Sequence, residues 1–306
     1  MPTVSVVIPA KNRAKMIVKC LNSVLNQTVK ADEIIVVDDN STDDTKEVVH
    51  SYSKYGVKYI PLENKTGAQA ARNLGIISAT GDYIAFQDSD DEWFDYKLEE
   101  QIKVIKTYKS QKFLFIHGDA EDYDWKTGEF RDRKVPELEG NCYEKLLKSH
   151  GPLFPAIMVD KKALFEIGLL DEKVPSWQEW DTSIALSRIC DFRQIRKPLF
   201  IYNVNHGDAI SKNIQSDLNG YWYIVEKNKE LIISELGQDY YLKHIKRQLL
   251  FSINKELLDE FEKYKNYYLE EIVNRNVIYR NIQKILLRRG LMPVIIKGWN
   301  PWKFIN

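Results

Sequence analysis

The sequence is short of cysteine. Three occur in 306 residues, Cys20, Cys142 and Cys190. They are odd in number, far apart and without metal-ligand spacing. That excludes a disulfide framework and points to buried, reduced thiols, the usage of a cytoplasmic protein. Excess charge of one sign is also missing, with 44 Lys plus Arg against 44 Asp plus Glu. No global field then draws nucleic acid or an acidic partner, so any electrostatic function is local. No apolar run reaches the ~20 residues that a spanning helix needs. The opening "MPTVSVVIPAKNR" has no basic leading region and reads as a strand, not a signal peptide. Internal repeats and low-complexity segments are absent. Glycine is missing from "PAKNRAKM", the loop after the first apolar run. A nucleotidyltransferase usually needs a Gly-rich, basic loop there to hold a triphosphate.

What is present is a regular alternation. "VSVVIPA" (Val4–Ala10) and "EIIVVDD" (Glu33–Asp39) are β-branched runs without polar alternation, as expected for strands covered on both faces. "VKYIPL" and "DYIAFQ" supply a third and a fourth strand. Between them, Met16, Ile17, Cys20, Leu21, Val24 and Leu25 recur on one helical face. "STDDTKEVVHSY" starts like a helix capped by Ser41 or Thr42, and "GAQAARNLGIISAT" is a third helix, stopped at Gly81. The pattern predicts an α/β fold with a mostly parallel sheet flanked by helices. "KFLFIHGDAEDY", "PAIMVD" and "PLFIYNVN" predict further strands, and "EWDTSIALSRI" a helix. From about Asp217 the spacing turns helical, as at Leu242, Ile245, Leu249, Ile253, Leu257 and Phe261. This divides the chain into a domain over 1–212 and a helical region over 213–306.

Ligands of an open parallel sheet bind at the carboxyl ends of its strands. "PAKNR", "DDNSTDD" and "DSDDEW" all fall there. Clustered carboxylates repel unless a cation sits among them. A hard divalent ion such as Mg²⁺ or Mn²⁺ takes oxygen ligands and can hold a diphosphate. The plainer reading of the same acids is a solvated turn capping the next helix.

"VSVVIPAKNRAKMIVKCLNSVLNQT", "EIIVVDDNSTDDT", "GAQAARNLGIISATGDYIAFQDSDDEW" and "EWDTSIALSR" resemble, in order and spacing, the motifs of the family-2 inverting glycosyltransferases of GT-A fold. The resemblance covers about Val4 to Arg188. It implies that Pro9, Ala10 and Asn12 cradle a nucleotide. It further implies that Asp39 accepts from a uracil N3–H, making a UDP-sugar the expected donor, and that Arg72 contacts base or phosphate. "DSD" matches the DXD motif: Asp88 would face ribose or sugar beside Ser89, and Asp90 would hold the metal. His206 matches a histidine that could approach the diphosphate or metal.

Inversion requires a base for the acceptor hydroxyl. The resemblance puts it in a Glu-Asp pair, which here reads Gln178-Glu179. Glu179 keeps a carboxylate on one extra methylene, and Asp181 is the fallback, though an acid in a first helical turn also favours the dipole. Trp177 and Trp180 flank Glu179, as sugar-stacking faces or as core anchors. Lys11 could pair with phosphate. The expected acceptor is a glycan, lipid-linked or protein-linked, on fold-level warrant. Two alternatives stay open: a binding module that has lost turnover, and a sugar nucleotidyltransferase. Beyond Ile272 no acid occurs, but Arg275, Arg280, Lys284, Arg288, Arg289, Lys297 and Lys303 do, with Trp299, Trp302 and Phe304. That make-up fits a peripheral membrane anchor at the cytoplasmic face, packing on the preceding helices, or a homodimer contact.

Overall fold

The computed structural model describes residues 2–63, 66–133, 135–205 and 213–273. The chain divides into two compact units, one ending at Gly220 and one beginning at Tyr221. In chain order the first runs β1 (Val4–Ala10), α1 (Ile17–Leu25), β2 (Glu33–Asp38), α2 (Thr45–Ser51), β3 (Val57–Pro61), α3 (Ala68–Ser78), β4 (Tyr83–Phe86), β5 (Glu92–Trp93), α4 (Lys97–Thr107), β6 (Phe113–Asp124), β7 (Glu129–Arg133), α5 (Tyr143–Lys148), β8 (Met158–Asp160), α6 (Lys161–Glu166), α7 (Gln178–Ser187) and β9 (Cys190–Val204). Helix α8 (Ile214–Lys227) carries the division at Gly220. The expected boundary at 212 lies outside the described residues.

The sheet order is β3-β2-β1-β4-β8-β6-β9-β5, with β7 paired to β6. β1 pairs in parallel with β2 and β4, and β2 with β3. β8 is antiparallel to both β4 and β6, so β6 points the same way as β4, and β9 runs parallel to β6. The mostly parallel expectation holds, and the carboxyl ends of β1, β2, β4 and β6 open on one edge. β1 and β2 are buried along their whole length, as their unalternated β-branched runs require. Ile17, Cys20, Leu21 and Val24 of α1 pack into the same core as Val6, Ile8 and Val36. Gly75 lets α3 lie close on the sheet, since a Cβ there would stand 2.4 Å from Val7 Cγ1.

Two local expectations are corrected. Helix α2 begins at Thr45 after Asp44, not after Ser41 or Thr42. The Ser41 N–H and hydroxyl instead donate to Asp38 Oδ1, closing a tight turn on β2. Glu92 and Trp93, read as part of an acidic turn, form the short strand β5 on β9.

The three cysteines are buried free thiols. In the second unit, α9 (Lys229–Leu236), α10 (Gln238–Asn254) and α11 (Leu258–Val273) follow. Leu242, Ile245 and Leu249 of α10 are buried, as are Tyr264 and Tyr268 of α11. Among the described residues no helix is long and apolar enough to cross a membrane. Arg275 to Phe304, on which the tail expectation rests, lie outside the described residues.

Candidate active site

A cleft of about 1030 Å³ opens at the carboxyl edge. Pro9, Ala10, Asn12, Asp39, Arg72, Asp88, Ser89, Asp90 and Glu179 all line it. Asp181 does not; it is buried at 4% exposure in the first turn of α7. His206 lies outside the described residues. A smaller hollow of about 720 Å³, bordered by Asn22, Glu33 and Tyr52, sits at the amino end of β2, away from this edge.

The loops after β1 and β2 are stapled together. Asn12 adopts a positive φ of 52°, a conformation asparagine tolerates. Its N–H donates to Ser41 Oγ at 2.8 Å, and its side-chain oxygen accepts from the Thr42 N–H at 2.7 Å. The two acids after β2 have different jobs. Asp38 braces the turn, accepting from Ser41 and, at 2.7 Å, from the Tyr59 hydroxyl. Asp39 turns into the cleft. Its Oδ2 accepts from Lys11 Nζ at 3.1 Å and from the Gly67 N–H at 3.0 Å. Its Oδ1 is buried and has no hydrogen-bond partner. A buried carboxylate oxygen left unpaired costs about 1–3 kcal/mol or more, so this atom is poised for a donor. Lys11, half-exposed, lines the same cleft.

Arg72 is the hub of the site. Its Nη1 donates to Gln69 Oε1 at 3.1 Å and Gln178 Oε1 at 3.0 Å, its Nη2 to Asp88 Oδ1 at 2.6 Å, and its guanidinium stacks 4.1 Å over Phe154. Arg13 reaches Asp90 Oδ2 at 3.4 Å. The repulsion expected of the acid cluster is thus already offset by two guanidinium groups. Asp91 is turned inward, 2% exposed, and accepts from the Asn203 N–H at 2.9 Å. The residual strain shows in proton affinity. Burial raises Asp91 well above the usual carboxylate range, with the charges of Asp90 and Asp88 adding to it. Burial and Asp90 also raise Asp88, against the pull of Arg72.

Glu179 stands at the start of α7, behind Trp177, whose φ of 58° is unusual for a bulky residue. Burial raises the Glu179 carboxyl; its own backbone N–H and Arg72 oppose this, while Asp88 adds to it. A base with elevated proton affinity suits proton abstraction near neutral pH. The two tryptophans beside it part company. Trp177 lines the cleft, whereas Trp180 is 1% exposed and donates its indole N–H to Leu146 O at 2.7 Å, a core anchor.

Gln69, Tyr202 and Asn203 also line the cleft, and sequence reading passed over them and the pairing role of Arg13. Arg13 had a legible signal, a cation three residues beyond the end of β1. Tyr202 and Asn203 had none, because they reach the site only through the long pairing of β9 with β6. Among the described residues no group of three or more His, Cys, Asp or Glu could hold a metal. The all-oxygen pair Asp88 and Asp90 does fit an ion of the Mg²⁺ type, which takes one or two carboxylates and completes its shell with water and phosphate.

Residues 5–165 match the model of glycosyl transferase family 2. An uncharacterized glycosyltransferase of Rickettsia bellii is 34% identical over 60% of this chain, which covers only 26% of that relative's length. UDP-Glc:alpha-D-GlcNAc-diphosphoundecaprenol beta-1,3-glucosyltransferase WfgD of Escherichia coli is 34% identical over 53% of this chain and 61% of its own. The chain spans about a third or less of the Rickettsia relatives it matches, 26% to 33%. The crystal structure of S. aureus TarS 1-349 in complex with UDP-GlcNAc superposes with a TM-score of 0.65, covering 88% of this chain and 81% of that one at 18% identity. With the motifs of the β1, β2 and β4 edges gathered around one cleft and the family model spanning more than half its length, this chain belongs to glycosyl transferase family 2 and has the GT-A fold.

Proposed function

We propose that the chain transfers a sugar from a UDP-sugar to a hydroxyl group of a glycan-type acceptor, inverting the anomeric carbon. The observation that carries the donor reading is the unpaired Asp39 Oδ1 in the cleft wall. A uracil N3–H supplies the missing donor at that ring position, whereas cytosine has an acceptor there and offers only its exocyclic amine. The relatives' names agree in kind, since WfgD is named for UDP-Glc and the TarS structure holds UDP-GlcNAc.

In this mechanism Glu179 takes the proton of the acceptor hydroxyl. The hydroxyl oxygen bonds to the anomeric carbon from the face opposite the diphosphate. The bond from that carbon to the diphosphate oxygen breaks, and UDP leaves with the electron pair. Glu179 is one methylene longer than the expected aspartate, which places the acceptor slightly further out. Arg72 and Arg13 set the charge around Asp88 and Asp90, and Arg72 also holds Gln178 at the head of α7. A Mg²⁺ or Mn²⁺ ion held by Asp90, with Asp88 and Ser89 beside it, would offset charge on the leaving diphosphate. The Gln178 departure, which left a non-catalytic binding module open, has a partner in Arg72. The alternative base Asp181 is buried away from the cleft wall. The proposal puts the enzyme in the cytoplasm, at the inner membrane face where the acceptor is lipid-linked.

Calorimetric titration tests the donor reading. UDP should bind more tightly than CDP, and Asp39→Ala should weaken UDP by about 10- to 100-fold while leaving CDP little changed. Equal affinity for UDP and CDP in the unaltered chain would contradict it.

A further inference from the structure

The β6–β7 hairpin carries aromatic surface that the donor site does not use. β6 ends at Asp124 on the same edge as the cleft, and Trp125 follows at once. The Trp125 N–H donates to Val204 O at 3.1 Å, and its indole N–H to Asn203 Oδ1 at 2.8 Å. Asn203 lines the cleft and donates its Nδ2–H to the Asp90 carbonyl at 2.8 Å. The indole is therefore fixed two hydrogen bonds away from Asp90, with its single polar atom satisfied. Even so, Trp125 is 41% exposed, and Phe130, on β7, is 57% exposed. Tyr123 joins them, its ring centroid 4.8 Å from Phe130 and 6.3 Å from Trp125. The Lys19 ammonium lies 4.7 Å from the Trp125 ring centre.

Single exposed aromatics are ordinary. Three contiguous rings, one clamped to the wall of a ligand cleft, form a preorganised apolar platform. We propose that Tyr123, Trp125 and Phe130 form a subsite for a pyranose ring of the acceptor glycan. The proposal rests on the transferase reading above. A pyranose offers an apolar C–H face to an aromatic ring and a rim of hydroxyls to the groups around it. The rim here has both signs of charge, because the Lys19 ammonium over Trp125 also lies 3.9 Å from Glu92 Oε1. A neutral polyol matches such a rim better than an anion or a cation does. Its place beyond Asp90 suits an acceptor unit displaced from the reacting hydroxyl, so that the platform sets which glycans are held rather than the chemistry.

Indole ¹H–¹⁵N spectra of the full chain test this, with the Trp125 signal assigned by its loss in Trp125→Phe. The protein is titrated with methyl glycosides of glucose, galactose, mannose and N-acetylglucosamine, with and without UDP and Mg²⁺. At least one glycoside should shift the Trp125 signal saturably. Phe130→Ala, which leaves the Asn203 bond in place, should weaken that response by about 3- to 10-fold without altering UDP affinity. A chain that binds UDP while no glycoside moves the Trp125 signal overturns the proposal. So does a signal that moves only with protein concentration, which marks a contact with a second copy. A glycoside response without UDP binding upholds the subsite and sinks the UDP-sugar reading instead.

Discussion

At the scale of single residues, the site works by unequal treatment of like groups. Asp38 and Asp39 are neighbours with the same side chain. One is satisfied by Ser41 and Tyr59, and the other, a residue of the cleft wall, keeps one buried oxygen unpaired. Asp88, Asp90 and Asp91 divide in the same way between Arg72, Arg13 and the interior. The sequence made the acids legible but not their partners, because each partner comes from elsewhere in the chain and leaves no local pattern. This is also why a divalent ion looked necessary to quiet the cluster, when arginines already do part of that work. Glu179 yields a prediction with a definite sign. Its carboxyl is raised by burial, and only the ionised form accepts a proton. Turnover should therefore fall on the acid side at a pH above the ordinary glutamate range and recover as pH rises. Glu179→Gln should remove that limb and lower kcat by about 10²- to 10⁴-fold, with KM for the donor little changed. Rate against pH, in the parent and the variant, checks both.

At the scale of elements, close packing and one buried carboxylate hold the sheet and its helices together. Placing a methyl group at Gly75 forces α3 away from Val7 on β1. Gly75→Ala should destabilise the protein by about 1–3 kcal/mol in urea unfolding and weaken UDP binding as well, because Gln69 and Arg72 ride on the same helix. Glu33, at the head of β2, accepts from Ser5, Lys58 and Thr80. Burial works against its ionisation, but hydrogen bonds from Lys58, Ser5 and Thr80 outweigh it and hold the group at about 2. A depressed carboxyl contributes stability that is complete above its unfolded value near 4.5 and is lost as pH falls toward about 2. Glu33→Gln should flatten that acid loss, a difference on the order of 2–3 kcal/mol at neutral pH, read from urea midpoints across the range. The four early strands and their helices were legible because β-branched runs and 3.6-residue spacing are local. β5 was not, since two residues make no pattern and Glu92 finds its place only against Ile201. The start of α2 was misplaced because Ser41 is an equally good turn former, and Asp38 claims it.

At the scale of the whole molecule, a chain with balanced charge gathers its charged chemistry at one sheet edge. The edge is set by topology: parallel strands deliver loops from β1, β2 and β4 to one place, and the antiparallel β8 lets β6 and β9 extend that edge. The fold class and the edge that carries the loops were therefore readable from the alternation of strands and helices, whereas Tyr202, Asn203 and Trp125 were not, because their places depend on β6 and β9 pairing across a long separation in sequence. The central claim is that this cleft binds a UDP-sugar and that Glu179 deprotonates what attacks it. The most direct measurement is release of UDP from a panel of UDP-sugars, with water as the acceptor, by the unaltered chain and by Glu179→Gln. The account predicts slow, Mg²⁺- or Mn²⁺-stimulated release from at least one donor, reduced by about 100-fold or more in the variant while UDP still binds. Release that proceeds equally in both proteins, or none from any donor by a chain that binds UDP, would contradict it.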